Sequence, residues 1–305
     1  MTLMMKNLLI ALAASSVLIM PAQGKLKVVA TLPDYGALAR EIGGSNVEVT
    51  VLAKPTEDAH FVDPRPSFVV NLQAADVLIE GGAELEMGWL PALMRNVRNP
   101  KIAPGAPGRV VAAQGIRLMN APSALNRAAG DIHALGNPHF LLDPIIAKVV
   151  ALHISQGFSA ADSNNAAAYQ ASYQRFEAAI NAKLQEWGKA MLPHRGKAVA
   201  AYHDSWPYFA HRFGLGIDVF LEAKPGIPPS PAYLAEVISK VKEQSIKAIL
   251  VEPYQNRKVA EKVAASGGAK VVDVAQFPGA ISGTSNYIEL IDAVVSRLSG
   301  ALGGS

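Results

Sequence analysis

The 305-residue chain contains no cysteine. That excludes thiolate metal sites, cysteine nucleophiles and disulfide staples, as well as a lipid-modified cysteine at a cleavage site. Long apolar runs are also missing beyond the N-terminus. There is no cluster of basic residues to suggest nucleic acid or anionic lipid, and Lys plus Arg (28) barely outnumber Asp plus Glu (25). The metalloprotease spacing H-E-x-x-H is absent. What the chain does have is a short apolar start, regular strand and helix signals, and seven histidines.

Lys6 is the sole charge in residues 1–24; an apolar run from Leu8 to Met20 follows it, then Pro21-Ala22-Gln23-Gly24. A basic start, an apolar core and a small-x-small end predict a secretory signal peptide cut after Gly24. At about 13 residues the run is short of the ~20 needed for a membrane anchor. The expected product is a soluble exported protein, most simply periplasmic, neither a lipoprotein nor stably inserted in a membrane.

Strand-like and helix-like segments alternate over most of the chain. Strands are expected at 26–32, 47–52, 77–80 and 109–112, then at 197–201, 216–220, 248–252 and 270–274. Helices are expected at 33–42, 67–75 (capped by Ser67), 85–97, 206–213, 230–244, 257–265 and 286–302, and one opens at Asp143-Pro144, an N-cap followed by proline. Residues 113–137 read as a long loop. Between the two series, Tyr169, Tyr173, Phe176, Ile180, Leu184, Trp187 and Met191 recur in steps of three or four, one face of a helix from Asn164 to Leu192. Asp162 or Ser163 is the expected cap and Pro193 the stop. The fold class is therefore α/β: two lobes with mainly parallel sheets, joined by one long rigid helix, with a cleft between them. The expected organisation is a signal peptide over 1–24, an N-terminal lobe over 25–160, a linking helix over 161–193 and a C-terminal lobe over 194–305. In such sheets ligands bind beyond the carboxyl ends of the strands.

His60 and His203 both follow strands, one in each lobe, and His139 sits just ahead of the Asp143 cap. His153, His194 and His211 read as structural, while His133 lies near enough to His139 to assist. Asp204 could orient a ligating imidazole or cap the next helix. At these residues the sequence resembles the periplasmic metal-binding receptors of ABC importers, the zinc/manganese solute-binding proteins of cluster A-I. Asp58-Ala59-His60 with Pro64-Arg65-Pro66-Ser67 is similar to the family's D-P-H…P-x-P-S. Asn137-Pro138-His139-Phe140-Leu141-Leu142-Asp143-Pro144 resembles N-P-H-x-W-x-D-P, and His203-Asp204-Ser205-Trp206-Pro207-Tyr208-Phe209 resembles H-D-a-[FW]-x-Y-F. Residues 82–86 and 251–253 are weaker echoes.

The resemblance implies metal ligands at His60, His139 and His203, no catalysis, and delivery to an ABC permease by what is expected to be a monomer. Three imidazoles suit Zn²⁺ better than Mn²⁺ or Fe²⁺. The family's usual fourth ligand, an aspartate after the last strand, is missing here, which leaves water, Gln276 or Asp273. Three histidines with an open position also describe a zinc hydrolase or lyase, with Glu57, Asp58 or Asp204 as base. A surface adhesin or sequestering protein would share the site and differ in partner. The leader makes a direct prediction: mass spectrometry of the exported protein should give Lys25 as its first residue, and a retained N-terminus would contradict it.

Overall fold

The computed structural model describes residues 24–122, 133–224 and 226–303; the expected signal peptide lies outside the described residues except for Gly24, as does 123–132 of the expected long loop. Among the described residues, eight strands form two four-stranded sheets. In the first, β1 (Leu26–Ala30), β2 (Val47–Val51), β3 (Val77–Glu80) and β4 (Arg109–Val111) run in the order β2-β1-β3-β4. In the second, β5 (Ala198–Ala201), β6 (Gly216–Phe220), β7 (Ala248–Val251) and β8 (Lys270–Asp273) run β6-β5-β7-β8. All named strand pairs are parallel. The two orders are the same when counted from each lobe's first strand. In both sheets the order in which strands are added reverses between the first and third strands, which opens a crevice at the carboxyl ends.

Helices cover the sheets, as parallel crossovers require. They are α1 (Pro33–Gly43), α2 (Pro66–Ala74), α3 (Leu90–Met94), α4 (Pro144–Ala161), α5 (Ala166–Met191), α6 (Pro207–Phe213), α7 (Pro231–Glu243), α8 (Arg257–Gly267) and α9 (Tyr287–Gly303). Helix α5 is 26 residues long and spans roughly 40 Å. It lies against α1 and α4 of the first lobe and α9 of the second. Its apolar face is buried at Tyr169, Tyr173, Phe176, Ile180, Trp187 and Met191, with Leu184 half-buried. The Trp187 indole donates to Asp292 of α9 at 2.7 Å, and Phe176 meets Tyr287 edge-on at 6.2 Å between centroids.

Several local expectations give way to competing contacts. The start of α5 is not capped by Asp162 or Ser163: its N-cap is Asn165, without a side-chain bond. Asp162 stands one turn earlier, at the head of the 3-10 turn Ser163–Asn165 that leads into α5, where its carboxylate is bonded by the Asn164 and Asn165 backbone and accepts from the Asn165 side chain and the Tyr169 hydroxyl, both at 2.7 Å. The helix expected over 85–97 is reduced to α3. Gly82, Ala83 and Glu84 all have positive φ, and Glu86 turns inward to accept from Thr31 and Gly81 at 2.7 Å each. A regular helix would carry that carboxylate away from both donors. Ser67 does not cap α2, which begins one residue earlier at Pro66.

Phe176 is 1 % exposed where α5 meets α9. Replacing it with alanine is expected to cost about 3–5 kcal/mol in chemical denaturation, and a loss below about 1 kcal/mol would argue that this seam is not tightly packed.

Candidate metal centre

His60 stands on the loop after β2. Asp58 Oδ1 accepts from the His60 backbone at 3.0 Å and contacts its Nδ1 at 2.7 Å, so a two-residue turn fixes both main chain and ring. The Trp89 indole donates to the Ala59 carbonyl at 2.9 Å. Gly88 packs so closely that a Cβ there would lie 2.8 Å from the His60 carbonyl oxygen.

His139 belongs to the segment 137–143, which precedes α5 in the chain yet is bolted to the second lobe. Asn137 donates to the Asp204 carbonyl at 2.7 Å, and Tyr208 and Tyr287 donate to the Asn137 and Leu141 carbonyls at 2.7 Å each. Arg212 grips Asp143 with two bonds of 2.8 and 2.7 Å, while Asp143 also caps α4 through the Ile145 amide, as the Asp-Pro signal predicts.

His203 follows β5, and its Nδ1 lies 3.0 Å from Glu222 Oε2. The pairing register puts Ala201 beside Phe220, so the residues two further on, His203 and Glu222, leave neighbouring strands at the same level. Asp204, expected to orient the ring or cap α6, does neither. Its carboxyl group bonds Asn120 and Asn137, and Trp206 occupies the N-cap.

The three rings converge. Centroid separations are 5.3 Å for His60–His139 and 5.5 Å for each of the other two pairs, and one ligand atom from each residue lies within 4.8 Å of the others. At that limit, drawing each nitrogen in by less than about 1 Å reaches the ~2.0–2.1 Å bonds of zinc. His133 joins from the side, its Nε2 at 3.1 Å from His60 Nε2. With the Nδ1 proton of His60 directed to Asp58, the His60 Nε2 is the acceptor and His133 the donor. Glu84 helps to place His133 by accepting from the amide of Ala134. A cavity of about 290 Å³, lined by His60, His133, Glu84, Phe61 and Met87 among others, opens beside this pair.

Electrostatics set His133 and His139 apart from His203. Burial, reinforced by the charges of His60 and His203, pushes His133 down to about 4 and His139 well below its ordinary value. Burial also opposes charge on His203, but the Glu222 hydrogen bond and charge, with Glu252 and Asp58, outweigh it and raise the group. Burial works to raise Asp58, yet its bonds to His60 hold it below the usual carboxylate range.

The remaining histidines lie elsewhere: His153 on α4, His194 buried beside Lys197, and His211 exposed on α6. Asp273 is exposed and paired with Arg257. Gln276 is buried, its amide nitrogen near Ser205, Glu252 and Tyr254. Glu222 was not visible as a partner from composition or spacing; the sheet register was the only signal for it.

The profile of the family described as zinc-uptake complex component A, periplasmic (ZnuA), matches residues 28–301. The chain belongs to this family. Among ZnuA-like relatives, it is 24% identical to the high-affinity zinc uptake system protein ZnuA of Paracoccus denitrificans, over 97% of this chain and 98% of that one. It is 26% identical to the Bacillus subtilis protein of the same name, over 81% and 76%, and 25% identical to the iron-binding protein YfeA of Yersinia pestis, over 92% and 87%. A crystal structure of ZnuA shares the fold with a TM-score of 0.78 at 24% identity, covering 91% of this chain and 99% of that one. A manganese-bound periplasmic metal-binding protein from Candidatus Liberibacter asiaticus superposes at 0.75 with 19% identity, covering 91% and 100%.

The Glu222–His203 pair yields a test without metal. In Glu222→Gln the largest raising influence is gone while burial remains, opposed only by Glu252 and Asp58, so the His203 midpoint in an NMR titration should fall below that of the parent; an unchanged midpoint would mean that Glu222 does not act on this ring.

Proposed function

We propose that the protein captures Zn²⁺ in the cleft through His60, His139 and His203 and delivers it to the permease of an ABC-type importer. The observation that carries this is the convergence of three histidines, from both sides of a two-lobed fold, to within 4.8 Å. Membership of the ZnuA family supports the cargo and the transport role. Neutral imidazoles favour Zn²⁺ over Mn²⁺ or Fe²⁺, because the borderline-soft ion accepts nitrogen where manganese prefers oxygen.

His133, already in contact with the His60 ring nitrogen, is the fourth ligand in waiting. It stands ahead of Gln276, whose amide is engaged, and of Asp273, which is held by Arg257. The ion enters through the cavity beside His60 and His133. The protein works in the periplasm as a monomer after losing residues 1–24, without a lipid anchor. Among the described residues no helix is long and apolar enough to cross a membrane.

The protein performs no chemistry on a substrate. A hydrolytic centre needs a free base near the metal, and the candidates are committed: Glu57 accepts from Lys54 and Arg65, Asp58 from His60, and Asp204 bonds Asn120 and Asn137. An adhesin or sequestering protein would use the same site without the permease.

Ligation needs neutral imidazole, so protons compete with the ion. His139 and His133 stay neutral well into acid, whereas His203, raised by Glu222, takes a proton first. Affinity is therefore expected to fall as pH drops through the His203 midpoint, which lies above the ordinary histidine value of about 6.5. Calorimetric zinc titrations near pH 7.5 and 5.5 check this, and equal affinities would refute an imidazole site. In the same assay His139→Ala should weaken binding by orders of magnitude and the exposed His211→Ala should leave it unchanged; similar losses in both would overturn the assignment.

A further inference from the structure

Three successive residues after β3, Gly82, Ala83 and Glu84, have φ of 71, 52 and 66°. Glycine takes such a backbone freely; alanine and glutamate do not, because a Cβ crowds the following carbonyl. One side chain pins this turn. Glu86 accepts from the Gly81 amide and from Thr31 Oγ1, just beyond β1, at 2.7 Å each, and the Leu85 amide closes on the Gly82 carbonyl at 3.2 Å. Strain at non-glycine residues persists only where the surroundings over-determine it, and it gathers at functional sites. Glycine would fit position 84 without strain, so what glutamate adds there is its carboxylate.

That carboxylate accepts from the Ala134 amide and shares a cavity with the His60 and His133 rings. Beside it, the His133 carbonyl accepts from Gly136 at 3.2 Å, so residues 133–136 form a turn whose second amide is held by Glu84. The chain then runs directly into Asn137, which is bonded to Asp204 of the second lobe. His133 is thus placed from the first lobe and His139 from the second, only six residues apart. The spacing that results is close to what zinc requires. In a tetrahedral site with ~2.0–2.1 Å bonds, neighbouring donor nitrogens stand about 3.3–3.4 Å apart. His133 Nε2 lies 3.1 Å from His60 Nε2, so this pair has only to open slightly to share an ion.

We propose that Glu84 is a positioning residue: displayed by the strained turn that Glu86 pins, it holds the turn 133–136 and seats His133 as the fourth imidazole on the ion bound by His60, His139 and His203. Groups one bond removed from a metal ligand fix its orientation, and their loss typically costs about 10–100-fold in affinity. The purpose assigned to Glu84 rests on the zinc reading of the site; the contact between the His60 and His133 rings is a property of the metal-free protein.

The experiment combines zinc calorimetry, X-ray absorption of the zinc-loaded protein and ring-nitrogen NMR of the ¹⁵N-histidine-labelled, metal-free protein. The parent should carry one imidazole more on the ion than His133→Ala, and its metal-free form should show the hydrogen bond between the His60 and His133 rings. Glu84→Gly removes the carboxylate while leaving the turn unstrained. It should lose that ring contact, fall to the imidazole count of His133→Ala and bind zinc about 10–100-fold more weakly. Glu84→Gln keeps an acceptor oxygen and should behave as the parent. Because Glu84 acts through His133, adding Glu84→Gly to His133→Ala should cost nothing further. Full additivity of the two losses, or a Glu84→Gly protein with the parent's imidazole count, would overturn the proposal. A parent with no more imidazoles on the ion than His133→Ala would overturn it too, and would leave capture by three histidines standing. A parent that takes up no zinc, yet loses the ring contact in Glu84→Gly, would uphold the seating of His133 and sink the transport reading instead.

Discussion

Everything in the cleft depends on holding several imidazoles neutral, close together and correctly turned. A free imidazole rotates, exchanges tautomers and takes up a proton near neutral pH. Three of them brought within 4.8 Å would repel one another once charged. Burial removes the charged form from His139 and His133, while Asp58 and Glu222 take the Nδ1 side of the other two rings. The cost of bringing the rings together is met by the surrounding fold, which is what pre-organisation of the proposed binding site means physically.

The same economy governs charge. The converging side chains are imidazoles, and the negative charge stands behind two of them, on Asp58 and Glu222, each hydrogen-bonded to an Nδ1. In the proposed binding mode a doubly charged ion is balanced by carboxylates that hold the rings and do not touch the ion. This arrangement favours a metal content with nitrogen and discriminates against one that wants oxygen in direct contact. In that mode affinity is tied to pH through His203, whose neighbours favour its protonation.

The scaffold was legible in the sequence because its signals are local. All eight strands and the long helix follow from β-branched runs, proline and glycine punctuation and a three-to-four residue period, and each falls within a residue or two of its expected place. Three of the histidines could be picked out because strand ends and an Asp-Pro cap locate them on the same side of their sheets. What stayed hidden depends on register and tertiary contact. Glu222 sits in a proline-rich loop with nothing in its own neighbourhood to mark it, and only the pairing of β5 with β6 sets it against His203. Asp204, next to that histidine in sequence, was the natural choice, but its carboxyl group is taken up by Asn120 and Asn137. The failed helix at 85–89 has a similar cause: Glu86 finds buried donors on Thr31 and Gly81 that outweigh its local propensity.

The bolting of segment 137–143 has a consequence in time. Tyr287 lies 146 positions beyond the Leu141 carbonyl it holds, and Arg212 and Tyr208 also come long after the residues they grip. Contacts of such separation form late, since a long loop must close before they reward the chain. A growing polypeptide therefore cannot fasten segment 137–143, and with it His139, in its final place until Tyr287, the first residue of α9, has emerged.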